Sequence, residues 1–328
     1  MDVRAFFTSI KVDSAEPPYD SLYSKIYYPG NYGDSAEERN MGYIPADQSM
    51  APFPVAILMP GSNCPPESYA WLARHLAANG IVAMVYGWVK EDMPGFIALS
   101  PGFDLTALMP DTYGSKPSAP AIPALLDELE RQNNKGVLSG LLDLDKIILG
   151  GHSAGGNASL LNTHADWFPA VKAGFSYAAH SGAATAIGYP EDTLLPLPSN
   201  RPFLIMGGTH DGVIAASSNR YGDTVDATPT HRIARTFDEA LNCARGDCHL
   251  LLVQGANHFC FLDPDDGTTG RPFLDWQCER PAADIRAFLA ETIYSFINAS
   301  VNSDDQAAAQ LKKLSSGTQP LVADYRKK

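Results

Sequence analysis

The chain has 328 residues, of which 45% are hydrophobic and 19% charged, a balance that can fill a sizeable core and argues against a disordered segment. Its 24 Lys+Arg stand against 37 Asp+Glu, a formal net charge of −13, and no basic cluster precedes the terminal Arg326-Lys327-Lys328, which makes nucleic acid and anionic membranes poor partners. No apolar run reaches the length of a bilayer span, and Arg4, Lys11 and Asp13 interrupt the first residues where a signal peptide needs an apolar core.

Residues 3–12 and 22–28 carry the β-branched and aromatic content of strands with a polar turn between them, and predict an opening hairpin. Residues 31–51 are rich in Gly, Asp, Glu and Asn and predict a surface loop. Phe53 to Met59 is a continuous apolar run of the kind buried on both faces of a parallel sheet. Pro60-Gly61-Ser62-Asn63 breaks it, and a helix is expected from Pro66 to Asn79, with proline near its start, Leu72 and Leu76 four apart, and Gly80 past its end. A further apolar strand over 81–86 completes a strand–helix–strand crossover unit.

Gly87 to Pro117 is long and carries Trp88, Met93, Phe96, Ile97, Leu99, Phe103, Leu105, Leu108 and Met109 without a sustained period. Such a connection is expected to be a lid or pocket wall, with Trp88, Phe96 and Phe103 facing the substrate; the bland alternative is a satellite core under a loop. Ile122, Leu125, Leu126 and Leu129 mark a helix face, and Lys146 to Gly150 is a strand. Strands follow over 173–179, 202–206 and 250–254, with a helix through Ile233, Phe237 and Leu241. A closing helix shows its stripe at Ile285, Phe288, Leu289, Ile293 and Phe296. The expectation is one α/β domain over residues 1–299, built on a mostly parallel sheet of about eight strands with helices on both faces. Residues 300–328 read as a loose polar tail with at most a turn or two of helix around 307–314.

Five cysteines match no zinc-ligand spacing, and no metal or cofactor is expected. Cys243 with Cys248, and Cys260 with Cys278, are compatible with disulfides in a secreted protein. The compartment therefore stays open: cytoplasmic as written, secreted if a signal was removed. Oligomeric state has no signal in the sequence.

Chemistry collects at the strand ends, as it does in open α/β sheets. In Gly151-His152-Ser153-Ala154-Gly155 a serine stands between glycines where a strand turns directly into a helix, the Gly-x-Ser-x-Gly pattern that pushes a hydroxyl out at a helix N-terminus. A serine hydroxyl is a weak nucleophile and needs a base, and the base needs an acid to fix its tautomer. His258, which follows the last strand and a glycine, is the expected base; Asp211, in the turn after the strand over 202–206, is the expected acid. The order Ser, Asp, His along the chain is that of α/β-hydrolases. The expected oxyanion donors are the amides of Ala154 and Ser62, with those of Gly61 or Asn63 as fallback. His152 is expected to pack beside the nucleophile, at the edge of the pocket.

On Pro60-Gly61-Ser62, Gly-His-Ser-Ala-Gly-Gly, Gly-Gly-Thr-His-Asp and Gly-Ala-Asn-His, residues 53–298 resemble the serine branch of the α/β-hydrolases that groups dienelactone-hydrolase-like proteins, chlorophyllases, cutinase-type polyester hydrolases and platelet-activating-factor acetylhydrolases. The resemblance implies the α/β-hydrolase fold and a catalytic triad of Ser153, Asp211 and His258. It departs from dienelactone hydrolases, which use Cys as nucleophile, and from polyester hydrolases, which place an aromatic residue where Ser62 stands. The expected function is cleavage of a carboxylic ester or lactone with an apolar group through an acyl-Ser153. Transfer of that acyl group to a non-water acceptor is the alternative, and a hydrolase-fold binding protein without turnover comes third.

Overall fold

The computed structural model describes residues 2–93, 95–198, 200–222 and 228–328. Its strands are β1 (Asp2–Lys11), β2 (Ser21–Gly30), β3 (Phe53–Met59), β4 (Val82–Met93), β5 (Phe96–Ser100), β6 (Leu142–His152), β7 (Val171–Tyr177), β8 (Phe203–Gly208), β9 (Cys248–Val253) and β10 (Val322–Lys327). The helices are α1 (Ala36–Met41), α2 (Ala70–Ala78), α3 (Ala121–Asn134), α4 (Ala154–Asn162), α5 (Gly212–Ala216), α6 (His231–Arg235), α7 (Ala282–Val301) and α8 (Asp305–Lys313).

Side chains alternate across the sheet, and the sequence of β3 exploits both faces. Ala56 and Leu58 join Leu72 and Leu76 of α2 and Ile285, Leu289 and Ile293 of α7 in one core. Val55, Ile57 and Met59 join Ile122, Leu125 and Leu129 of α3 in the other. A third cluster seats Ile233 of α6 and Phe237 on Phe203, Ile205 and Leu250. The run Phe53 to Met59 has no polar residue because no position of it meets water.

The strand order is β1-β2-β4-β3-β6-β7-β8-β9-β10, with β5 paired to β4 off this path. The expected sheet of about eight mostly parallel strands is corrected to a mixed sheet of ten. The strands from β4 to β9 along this path run parallel, whereas β1–β2, β2–β4, β4–β5 and β9–β10 pair antiparallel. The two unforeseen strands are β5, whose apolar residues were read as part of one long aperiodic stretch, and β10, which lacks a hydrophobic signature of its own. Val-Ala-Asp-Tyr-Arg-Lys forms β10 because the exposed backbone of β9 offers it a ladder, which an edge strand needs more than it needs apolar side chains.

The stretch 300–328 is therefore not a loose tail. Asp304 caps α8 by accepting from the amides of Gln306 and Ala307, Ala307 and Leu311 are buried, and β10 closes the sheet. The stretch 87–117 is likewise more regular than expected: β4 runs on to Met93 and folds back through Gly95 as β5. Pro94 and the side chain of Met93 lie outside the described residues. Trp88 is not a pocket residue. It is 0% exposed, its Nε1–H donates to the Tyr19 carbonyl at 2.8 Å, and its ring lies against Gly102, where an added Cβ would come within 2.2 Å of it. Phe103 packs, half-buried, on the same core.

Candidate active site

β6 carries the chain to Gly151 and His152, and α4 begins at Ala154, so Ser153 must turn the backbone by itself. It does so at φ 53° and ψ −121°, a conformation costly for a non-glycine residue and held here by its neighbours. The Ser153 amide donates to the Tyr177 carbonyl of β7 at 2.9 Å. Side chains are excluded on both flanks: a Cβ on Gly151 would lie 2.2 Å from the Gly155 carbonyl oxygen, and one on Gly155 would lie 2.0 Å from that of Met59. The two glycines are the physical condition for the turn.

Asp211 follows β8, caps α5 by accepting from the Ile214 amide at 2.8 Å, and is 0% exposed. His258 follows β9, and its Nδ1 lies 3.0 and 2.9 Å from the two Asp211 carboxylate oxygens. A carboxylate only accepts, so Nδ1 bears the proton and Nε2 is left as the basic nitrogen. Ser153 and His258 line one cavity of about 510 Å³, together with Ser62, Ala154 and Phe96. The Ser153 hydroxyl makes no hydrogen bond to another described residue and is free to reorient within that cavity.

Ser62 and Ala154 both line the same cavity. Asn63 donates to Leu99 at 2.7 Å and Gly61 to the Tyr69 hydroxyl at 2.8 Å, so both fallback donors are engaged. The amides of Ser62 and Ala154 have no partner among the described residues. Cys64 also lines the cavity, but burial pushes its thiol up to about 12 and removes it as a competing nucleophile.

No family model and no curated protein matches the sequence. Among solved structures, the chain is similar to a ferulic acid esterase from Streptomyces cinnamoneus, with 16% identity and a TM-score of 0.56, over 92% of this chain and 91% of that one. The two chains share an α/β fold. The likeness spans nearly the whole of both chains.

Of the residues expected at the pocket, Phe96 lines the cavity, whereas Trp88 and Phe103 do not. His152 is corrected from pocket edge to interior: it is 0% exposed, with Nε2 lying 3.1 Å from the His258 carbonyl and Nδ1 lying 3.1 Å from the Tyr69 hydroxyl. Burial, then the neighbouring His258, holds it well below the ordinary histidine range, so it stays neutral. A carbonyl can only accept, which puts the His152 proton on Nε2. Tyr69 then donates to Nδ1 while accepting from Gly61. One buried relay thus ties the turn after β3 to the turn after β9.

Asp275 makes a second tie, and no motif or spacing in the chain singles it out. One of its oxygens accepts from Gly212 and Trp276, the other from Phe259, each at 3.0 Å, so it clamps the Asp211 turn to the His258 turn. Its carboxyl is raised by burial.

All five cysteines are free thiols, including the pairs Cys243/Cys248 and Cys260/Cys278. Cys243, Asp247 and Cys248 bring their ligand atoms within 4.8 Å of one another. The Arg245 guanidinium, 2.9 Å from Asp247, already neutralises that carboxylate. Among the described residues no helix is long and apolar enough to cross a membrane.

Proposed function

We propose that this chain is a serine hydrolase of the α/β-hydrolase type that cleaves carboxylic esters through an acyl-Ser153 intermediate, with His258 as base and Asp211 as its orienting acid. The observation that carries the reading is Ser153 held at φ 53° on a strand-to-helix turn, in one cavity with a His258 whose Nδ1 is locked by Asp211. The fold likeness to a ferulic acid esterase supports it.

As substrate enters, the Ser153 hydroxyl turns onto His258 Nε2, gives up its proton and attacks the ester carbonyl carbon. The carbonyl oxygen takes the electron pair and is met by the Ser62 and Ala154 amides, the latter at the N-terminus of α4. Collapse of the tetrahedral intermediate expels the alcohol, which receives the proton from His258. Water, deprotonated by His258, then attacks the acyl-Ser153 carbonyl, and Ser153 leaves with the proton. Asp211 stabilises the imidazolium formed in each half. Phe96, Val213, Ile214 and Phe259 give the cavity an apolar wall for the acyl or alcohol group.

Labelling with a fluorophosphonate tests the nucleophile. Wild type is expected to take up one label per chain and Ser153→Ala none, with hydrolysis of an ester panel falling by about 10⁴-fold or more. Persistent labelling of Ser153→Ala would remove Ser153 from the mechanism.

A further inference from the structure

The cavity beside Ser153 is not only apolar. Arg220, at the end of the turn that follows α5, and Arg271, in the loop between His258 and α7, both line it. Neither guanidinium forms a salt bridge or hydrogen bond with any described residue, and no aspartate, glutamate or lysine is among the described residues of the lining. The acid nearest the reacting centre, Asp211, is turned away onto His258.

Two like charges at the wall of one pocket repel, and burying them adds a desolvation cost. Both effects register on Arg271: burial, then the neighbouring Arg220, pulls its guanidinium below the ordinary arginine range, and the Tyr221 phenol partly offsets this. Among the described residues, this local concentration of positive charge in a chain of net charge −13 has no counter-charge. Such a pair of cations suits an anion supplied from outside. Guanidinium forks suit a planar carboxylate, which two of them can grip through paired N–H donors. His180 adds a neutral donor to the same wall. Its Nδ1 accepts from the Gly182 amide at 3.0 Å, which leaves the proton on Nε2, and burial beside Arg232 holds the ring to about 3, so it is uncharged near neutrality.

We propose that the substrate of this cavity carries a free carboxylate besides the ester that Ser153 attacks, joined to it by an apolar spacer, and that Arg220 and Arg271 bind that carboxylate. The idea rests on the ester-hydrolase reading only for the position of the reacting bond; the anion site itself does not require turnover. The preferred substrate is then a half-ester rather than a neutral one, with the spacer against Phe96, Val213, Ile214 and Phe259.

The test compares charged and neutral partners of matched shape. In one arm, monomethyl and dimethyl esters of the dicarboxylic acids from succinate to sebacate are titrated calorimetrically into Ser153→Ala and assayed for kcat/KM with the wild type. In the other, 4-acetoxybenzoate is compared with its methyl ester, which moves the carboxylate to the leaving-group side. The expected result is a preference of about 10-fold or more for the carboxylate in at least one arm, the size of a charge-assisted bond. That ratio is expected to collapse toward one in Arg220→Gln/Arg271→Gln, and to be partly kept in Arg220→Lys, which retains charge but loses the fork. Arg220 is exposed, so the single Arg220→Gln variant still reports if the double variant does not fold. No preference in either arm, or a preference unchanged in the variants, overturns the proposal. Absence of fluorophosphonate labelling in wild type, with the binding preference intact, overturns the hydrolase reading and leaves the anion site standing.

Discussion

Tyr69 and His152 lie 83 residues apart and share one hydrogen bond, and on that bond depends the alignment of the turns at both sides of Ser153. Replacing Tyr69 with Phe keeps the ring and removes both the acceptor of the Gly61 amide and the donor to His152 Nδ1. Two buried polar groups are then unpaired, at about 1–3 kcal/mol each. Thermal unfolding of Tyr69→Phe is expected several degrees lower, and kcat for an ester about 10-fold lower at nearly constant KM, because the Ser62 and Ala154 amides, proposed to hold the oxyanion, move relative to His258, the proposed base. Wild-type kcat in a folded Tyr69→Phe would show the relay to be structural only. At this scale the positions of Ser153, Asp211 and His258 beyond strand ends were legible because each is flagged by glycine or by a turn. The role of His152 was not: which way a buried ring points is decided by its partner, and nothing near position 152 announces Tyr69.

The β4–β5 hairpin shows how far periodicity can be read. The apolar residues of 87–117 were visible as a group, yet their division of labour was not, because strand pairing turns neighbours to opposite sides. Trp88 faces the core, while Phe96 reaches the cavity and is 47% exposed. The two make opposite predictions. Trp88→Ala empties a fully packed site and is expected to cost about 3–5 kcal/mol in chemical denaturation, with KM little changed in the folded fraction. Phe96→Ala is expected to leave stability within about 0.5 kcal/mol and to raise KM for long-chain esters more than for acetates. Equal shifts in KM for both esters would take Phe96 out of the pocket wall. Strands β3 and β6 through β9 were legible because burial on both faces requires unbroken apolar runs. β10 escaped because its stability comes from a neighbour's backbone, and α8 was visible only as a turn or two around 307–314 because its nine residues bury little beyond Ala307 and Leu311.

Across the whole molecule, buried histidines set the response to acid. His152 is held well below the ordinary range, His180 to about 3 and His249, a residue of β9 with its Nδ1 at the Tyr325 hydroxyl of β10, to about 4, burial being the leading cause in each. Each folded value lies below the unfolded value of about 6.5, so unfolding takes up protons once the pH drops beneath that point. Their contribution is fully present above about pH 6.5 and declines below it, by at most about 1.4 kcal/mol per pH unit for each histidine. Unfolding midpoints in denaturant are expected to fall steadily from pH 7 to pH 5.5, and more gently in His249→Gln. A flat profile over that window would contradict neutral burial.

The two strands that border the sheet have a consequence of another kind. β1 and β10 each offer an open ladder to a second copy, the geometry from which fibres grow. A copy docking along β1 would lie beside Asp2, Arg4 and Lys11, and one docking along β10 beside Asp324, Arg326 and Lys327. Phe7, an apolar side chain 62% exposed on β1, has the Lys25 ammonium 4.9 Å from its ring centroid. Resistance to templated polymerisation is therefore written at the rims of the sheet, in charges outside the lining of the cavity that holds Ser153.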